Sequence, residues 1–126
     1  MYEDVKNALM RKLRLGNYGQ ARDFLKRGNR YCALGLLIET YREETGRGRW
    51  DGPHEGKNGV RDAYCYLIGK NEWSIELPSA AILKWAGMDE TLARRLYALN
   101  DIERCSFAGI ANFIQGVPSH ATSKIR

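Results

Sequence analysis

A chain of 126 residues, 44% of them hydrophobic, is long enough for one domain that buries roughly two-thirds of the surface its unfolded form exposes, and short for two. No apolar run approaches the ~20 residues of a membrane span, and the opening MYEDVKNALMRKLRLG sets acids before bases with no apolar block, so neither a span nor a secretory or transit signal is expected. The net charge of +5 is placed unevenly: residues 1–30 hold eight bases against three acids, and the remaining residues hold twelve of each sign.

In chain order, Asp4 is positioned to cap a first helix whose apolar positions Val5, Leu9 and Leu13 recur every fourth residue, with Gly16 beyond its end. Lys6, Arg11, Lys12 and Arg14 line its other faces. Residues 18–27 follow, with Ala21, Phe24 and Leu25 on one side and Arg22, Lys26 and Arg27 on the other; their regularity as a helix is left open. The stretch 30–45, RYCALGLLIETYREET, has an unbroken apolar run from Cys32 to Ile38 and is expected as the buried central helix, opened by Asn29 and closed by Gly46. Gly35 gives a neighbour room to come close. Residues 46–61 lose all periodicity, hold five glycines and one proline, and read as a long loop. Residues 64–77 alternate on either side of a Gly-Lys-Asn-Glu turn and predict one β-hairpin. Three short helices follow: 79–86 after Pro78, 90–99 capped by Asp89, and one capped by Ser106 with a stripe of Phe107, Ile110, Phe113 and Ile114.

The expectation is therefore an α+β, mainly helical fold: about five to six short helices around the central helix 30–45, with one β-hairpin at 64–77. Residues 1–118 form a single globular domain, and 119–126 a frayed tail.

Cys32, Cys65 and Cys105 are an odd set without a CxxC pair, expected as reduced, buried thiols; a zinc site using them with His54 or His120 lacks a paired knuckle, so no metal and no cofactor is expected. No nucleotide-binding glycine loop, HExxH or GxSxG is present. One catalytic constellation stands: Cys32 in the first turn of an apolar helix as nucleophile, with His54 or His120 as base and Asn100 or Asp101 as orienter.

The basic quarter attracts polyanions or an acidic protein face through Coulomb attraction and counterion release, or else is a solvated surface. Candidate contacts are Arg11, Lys12, Arg14, Arg22, Lys26 and Arg27, together with Arg47, Arg49 and Trp50 from the loop. Trp50 serves either as a stacking platform for a base or as an anchor tucked into the core.

Three blocks in order, RYCALGLL, ELPSAAILKWAGM and LYALNDIERCSFAGIANFI, resemble a family of small tailed-bacteriophage and prophage proteins. The likeness covers about residues 30–114. Ala33 and Ile38 stand where that family often has further cysteines, which weakens a metal or redox role. The resemblance implies a phage accessory protein acting in the host cytoplasm and transfers no catalytic residue. Three readings of function result: a binding protein that modulates host or anti-phage defence machinery through its basic surface, contacting nucleic acid or an acidic host protein; a cysteine hydrolase using Cys32; and a protein that sequesters a nucleotide signal.

Overall fold

The computed structural model describes residues 1–121. Five α-helices lie over one mixed sheet of six short strands. The single hairpin expected at 64–77 is thus a correction: its two strands exist, but as part of a larger sheet.

The first helix, α1 (Glu3–Leu15), buries Val5, Leu9 and Leu13 as their spacing predicts and ends at Gly16 in the left-handed region; Tyr2 rather than Asp4 is its cap residue. Residues 18–31 form no helix. They make three strands of two residues each: β1 (Gly19–Gln20), β2 (Lys26–Arg27) and β3 (Arg30–Tyr31). β2 and β3 are antiparallel and joined by Gly28-Asn29, where Gly28 at φ 53 supplies the positive φ that a two-residue hairpin turn requires.

The central helix, α2 (Ala33–Thr45), is shorter at its start than expected, because Arg30 and Tyr31 belong to β3. Its cap is Cys32, whose sulfur accepts the Gly35 N–H at 3.3 Å, and Gly46 closes it as expected. Leu34, Leu36, Leu37 and Ile38 are buried almost completely, so this helix is the spine. Gly35 is where it touches the sheet: a Cβ there would lie 2.0 Å from the Leu25 carbonyl oxygen.

The expected loop 46–61 is overturned in part, since it contains β4 (Arg49–His54), which pairs antiparallel with β5 (Ala63–Ile68) through a bulge between Asp51 and His54. β6 (Glu72–Ser74) pairs with β5 beyond the β2 contact, and the sheet order is β1-β3-β2-β5-β4. A strand holding Gly52 and Pro53 gives no alternation to read, which is why composition suggested a loop.

Then come α3 (Ala80–Ala86), α4 (Glu90–Tyr97) capped by the Asp89 carboxylate at 2.7 Å from the Leu92 N–H, and α5 (Phe107–Gln115) capped by Ser106. Asn100 does not simply break α4; it sits in a π-turn (Ala98–Ile102) and is buried. Its Oδ1 accepts from the Ala33 N–H at 3.2 Å and Gln20 Nε2 at 2.9 Å, and its Nδ2 donates to the Ala21 carbonyl at 2.9 Å, so one amide ties the start of α2 to the strand region. The predicted tail is held at its start: His120 bridges Tyr2, donating its N–H to the Met1 carbonyl at 2.9 Å, while residues 122–126 lie outside the described residues. Among the described residues no helix is long and apolar enough to cross a membrane.

Candidate functional site

Strand pairing fixes which side chains share a face, because directly opposed residues point the same way. One series runs Tyr31, Lys26, Tyr64 across β3, β2 and β5, and Trp50, Tyr66, Ser74 across β4, β5 and β6. This face packs on α2. Trp50 meets Tyr31 and Tyr66 edge to face, with ring centroids 5.9 and 5.0 Å apart, and donates its indole N–H to Glu39 at 2.7 Å. Arg42 donates to both Glu39 oxygens, at 2.8 and 2.9 Å. Burial works to raise the Glu39 pKa, but the hydrogen bonds from Arg42 and Trp50 outweigh it and hold the carboxyl below its ordinary value. The Lys26 ammonium lies 4.1 Å from the Tyr64 ring centroid and 5.6 and 5.7 Å from those of Tyr31 and Trp50; burial lowers its pKa against the pull of Glu39. Two expected ligand contacts, Lys26 and Trp50, are therefore engaged by the protein itself, with Trp50 anchored in the core as one of its two expected roles has it.

The opposite face has a different chemistry. Arg30 stands opposite Arg27, Arg27 opposite Ala63, and Ala63 opposite His54, giving one cross-strand row. Cys65 opposes Asp51 in the next row, and Leu67 is flanked by Arg49 and Trp73 in the third. The stem of Arg30 crosses Gly19, where a Cβ would lie 2.7 Å from the arginine Cγ. Successive rows are about 6.6–6.8 Å apart, two residues along β5. Arg27 pairs with Asp62 at 3.0 Å, and Arg49 and His54 share Asp51 at 2.6 and 2.7 Å. Hydrogen bonds from Arg49, then His54, hold the Asp51 carboxyl below its usual range. The bulge in β4 makes this sharing possible, keeping His54 and Asp51 on one side although they are three residues apart. Arg27 and Lys57 both lie 5.9 Å from the Phe24 ring. Arg30 has no acceptor among the described residues and is exposed.

The bases expected to form an anion face on α1 are mostly engaged elsewhere. Lys12 pairs with Glu43 at 2.9 Å, and Arg14 donates to Asn112 and Gln115 at 3.1 and 2.8 Å. Lys6 donates to the carbonyls of Gln115 and Val117, satisfying the C-terminal end of α5. Arg22 donates to the carbonyls of Arg104 and Cys105 at 3.0 and 3.4 Å. Arg11 alone of the α1 bases is free among the described residues, and Arg47 is exposed beyond the end of α2.

Cys32 and His54 are not brought together by any contact among the described residues. The thiol is buried, which pushes its pKa up to about 12 despite the Gly35 N–H, and its sulfur is spent as a helix cap. His54 sits on the far face of the sheet with Asp51. A nucleophile needs a thiolate and a base within reach; burial opposes the first, and neither His54, held by Asp51, nor His120, at 3.2 Å from the Gly87 carbonyl, contacts the thiol among the described residues.

A family model described as "Domain of unknown function (DUF8296)" matches residues 1–117. The chain belongs to this family. No curated protein and no solved structure matches it. The DUF8296 match runs from α1 to just past α5 and so contains every strand of the sheet.

Two residues of this face do not emerge from the sequence as site residues, Arg30 and Trp73. The apolar run after it puts Arg30 at the start of the central helix, although a Gly-Asn pair between Lys26-Arg27 and Arg30-Tyr31 is itself a hairpin signal. Trp73 was read only as part of the 64–77 alternation; its opposition to Leu67 and Arg49 appears once β4 is recognised.

Proposed function

We propose that this chain is a small phage-type binding protein, working in the host cytoplasm, that modulates host or anti-phage defence machinery by engaging an anionic partner. The contact surface is the face of the sheet that carries Arg27, Arg30 and Arg49, with Lys57 beside it at the Phe24 ring that Arg27 also approaches. The observation that carries this reading is the side-by-side placement of Arg27 and Arg30 in one cross-strand row, with Arg30 free of any internal acceptor among the described residues. Like charges directly opposed across a strand pair are unfavourable, and an incoming phosphate or carboxylate offsets that cost while accepting the arginines' hydrogen bonds. Asp51 and Asp62 offset part of the charge and orient Arg49 and Arg27.

Fluorescence anisotropy against a labelled nucleic acid from about 50 to 200 mM salt tests it. Affinity should fall steeply with salt, and Arg27→Gln, Arg30→Gln and Arg49→Gln combined should reduce the log–log slope by about 2–3. Arg11→Gln should change it by less than about 1, since that residue stands on α1. Absence of polyanion binding by the native protein at about 50 mM salt overturns nucleic acid as the partner; a pull-down in which the triple variant keeps every native partner overturns the face itself.

A further inference from the structure

Resting on the reading of this face as an anion-binding surface, we infer that its ligand is a single-stranded nucleic acid, with Trp73 as the platform on which a base stacks. The three tryptophans carry the argument. Trp50 is enclosed by Tyr31 and Tyr66 and its indole N–H is used by Glu39, and Trp85 meets Tyr41 edge to face at 5.3 Å. Trp73 is 41% exposed and, among the described residues, its side chain has neither a ring contact nor a hydrogen bond. It is not a surface accident of a loop, because β6 pairs with β5 on both sides of it and holds it opposite Leu67. Its row-mate across Leu67 is Arg49, and the Arg27–Arg30 row lies four residues away along β5, about 13 Å.

This is the arrangement that unpaired nucleotides match. Guanidiniums hold the sugar–phosphate chain along the sheet while a flat, unoccupied indole receives a base at one end. A duplex gains only the charge contribution, since its bases are already stacked and reach Trp73 only after unpairing. Stacking tolerates any base, so the surface selects strandedness rather than sequence.

The test uses the whole protein with a labelled oligouridylate of about 12 nucleotides and the same strand annealed to its complement. The single strand should bind more tightly than the duplex at equal salt and quench tryptophan emission. Trp73→Ala should weaken single-strand binding by about 5- to 100-fold, leave the salt slope unchanged because no charge is removed, and leave duplex affinity unchanged. Trp73→Phe, which keeps a ring, should recover most of the loss, and thermal melts should place both variants with the native protein. Equal binding of strand and duplex, or native affinity in Trp73→Ala, overturns this inference and leaves the anion-binding face standing. Binding of neither probe by the native protein overturns nucleic acid as the ligand altogether, and with it the role of Trp73.

Discussion

The two faces of the sheet are made from neighbouring residues and have opposite economies of contact. Lys26 and Arg27 are adjacent in β2, as are Trp50 and Asp51 in β4 and Trp73 and Ser74 in β6. On the α2 side each polar atom of Trp50, Glu39 and Arg42 that the face uses is met inside the protein, and Lys26 is sheltered by three aromatic rings. On the other side Trp73 is 41% exposed and Arg30 has no acceptor among the described residues. One face is a structural interior and the other carries solvent-exposed arginine and tryptophan side chains, and a shift of one residue in register would exchange them.

The largest expected effect separates the faces by stability. Tyr66 is fully buried and donates its hydroxyl to the Arg47 carbonyl, so Tyr66→Ala should destabilise by about 3–5 kcal/mol through lost burial and the cavity left behind. Trp73→Ala should cost under about 1 kcal/mol in the same urea titrations. Comparable losses at the two positions would show that Trp73 is a core residue and erase the contrast.

A smaller effect sharpens it by pH. The Glu39 carboxyl is held below its ordinary value of about 4.3, so its contribution to stability is fully present above that value and is lost as pH falls through the lower, folded value. Glu39→Gln should destabilise by about 1–2 kcal/mol near pH 7, by weakening its charge-assisted hydrogen bonds. The gap in urea midpoint between variant and native should close on acidification below about pH 4. A gap that persists unchanged at pH 3 would assign the loss to packing and not to charge. The smallest effect is Arg30→Gln, expected within about 0.5 kcal/mol of native because the side chain is exposed and without an internal acceptor among the described residues. A larger loss by chemical denaturation would mean that its stem over Gly19 is a fold contact.

What was legible in the sequence was helical. The apolar run 32–38, the closing Gly46, the caps Asp89 and Ser106 and the room at Gly35 all follow from local rules that act within a few residues, and all recur in the structure. The sheet was mostly illegible for a physical reason: β1, β2 and β3 have two residues each, too short for alternation to register, and are defined by partners elsewhere in the chain. The same blindness scrambled the site. The sequence points to Arg27 and Arg49 but groups them with Lys26 and Trp50, which are sequence neighbours on the other face. Charge counting located the basic quarter but not its use, because nothing local announces that Lys6, Arg14 and Arg22 donate to residues 104–117.

The clasp between α1 and the α5 end has a consequence for synthesis on the ribosome. α1 leaves the exit tunnel well before α5, yet Lys6 and Arg14 meet their acceptors, and the Tyr2 strand bridge its partner, only when residues 112–120 have followed. At about 5–20 residues per second an interval of roughly 100 residues lasts on the order of 5–20 s. For that time α1 can pack on α2 but lacks α5, the other helix that covers its apolar stripe of Val5, Leu9 and Leu13, so the nascent chain, more than the finished protein, is the species a chaperone would hold.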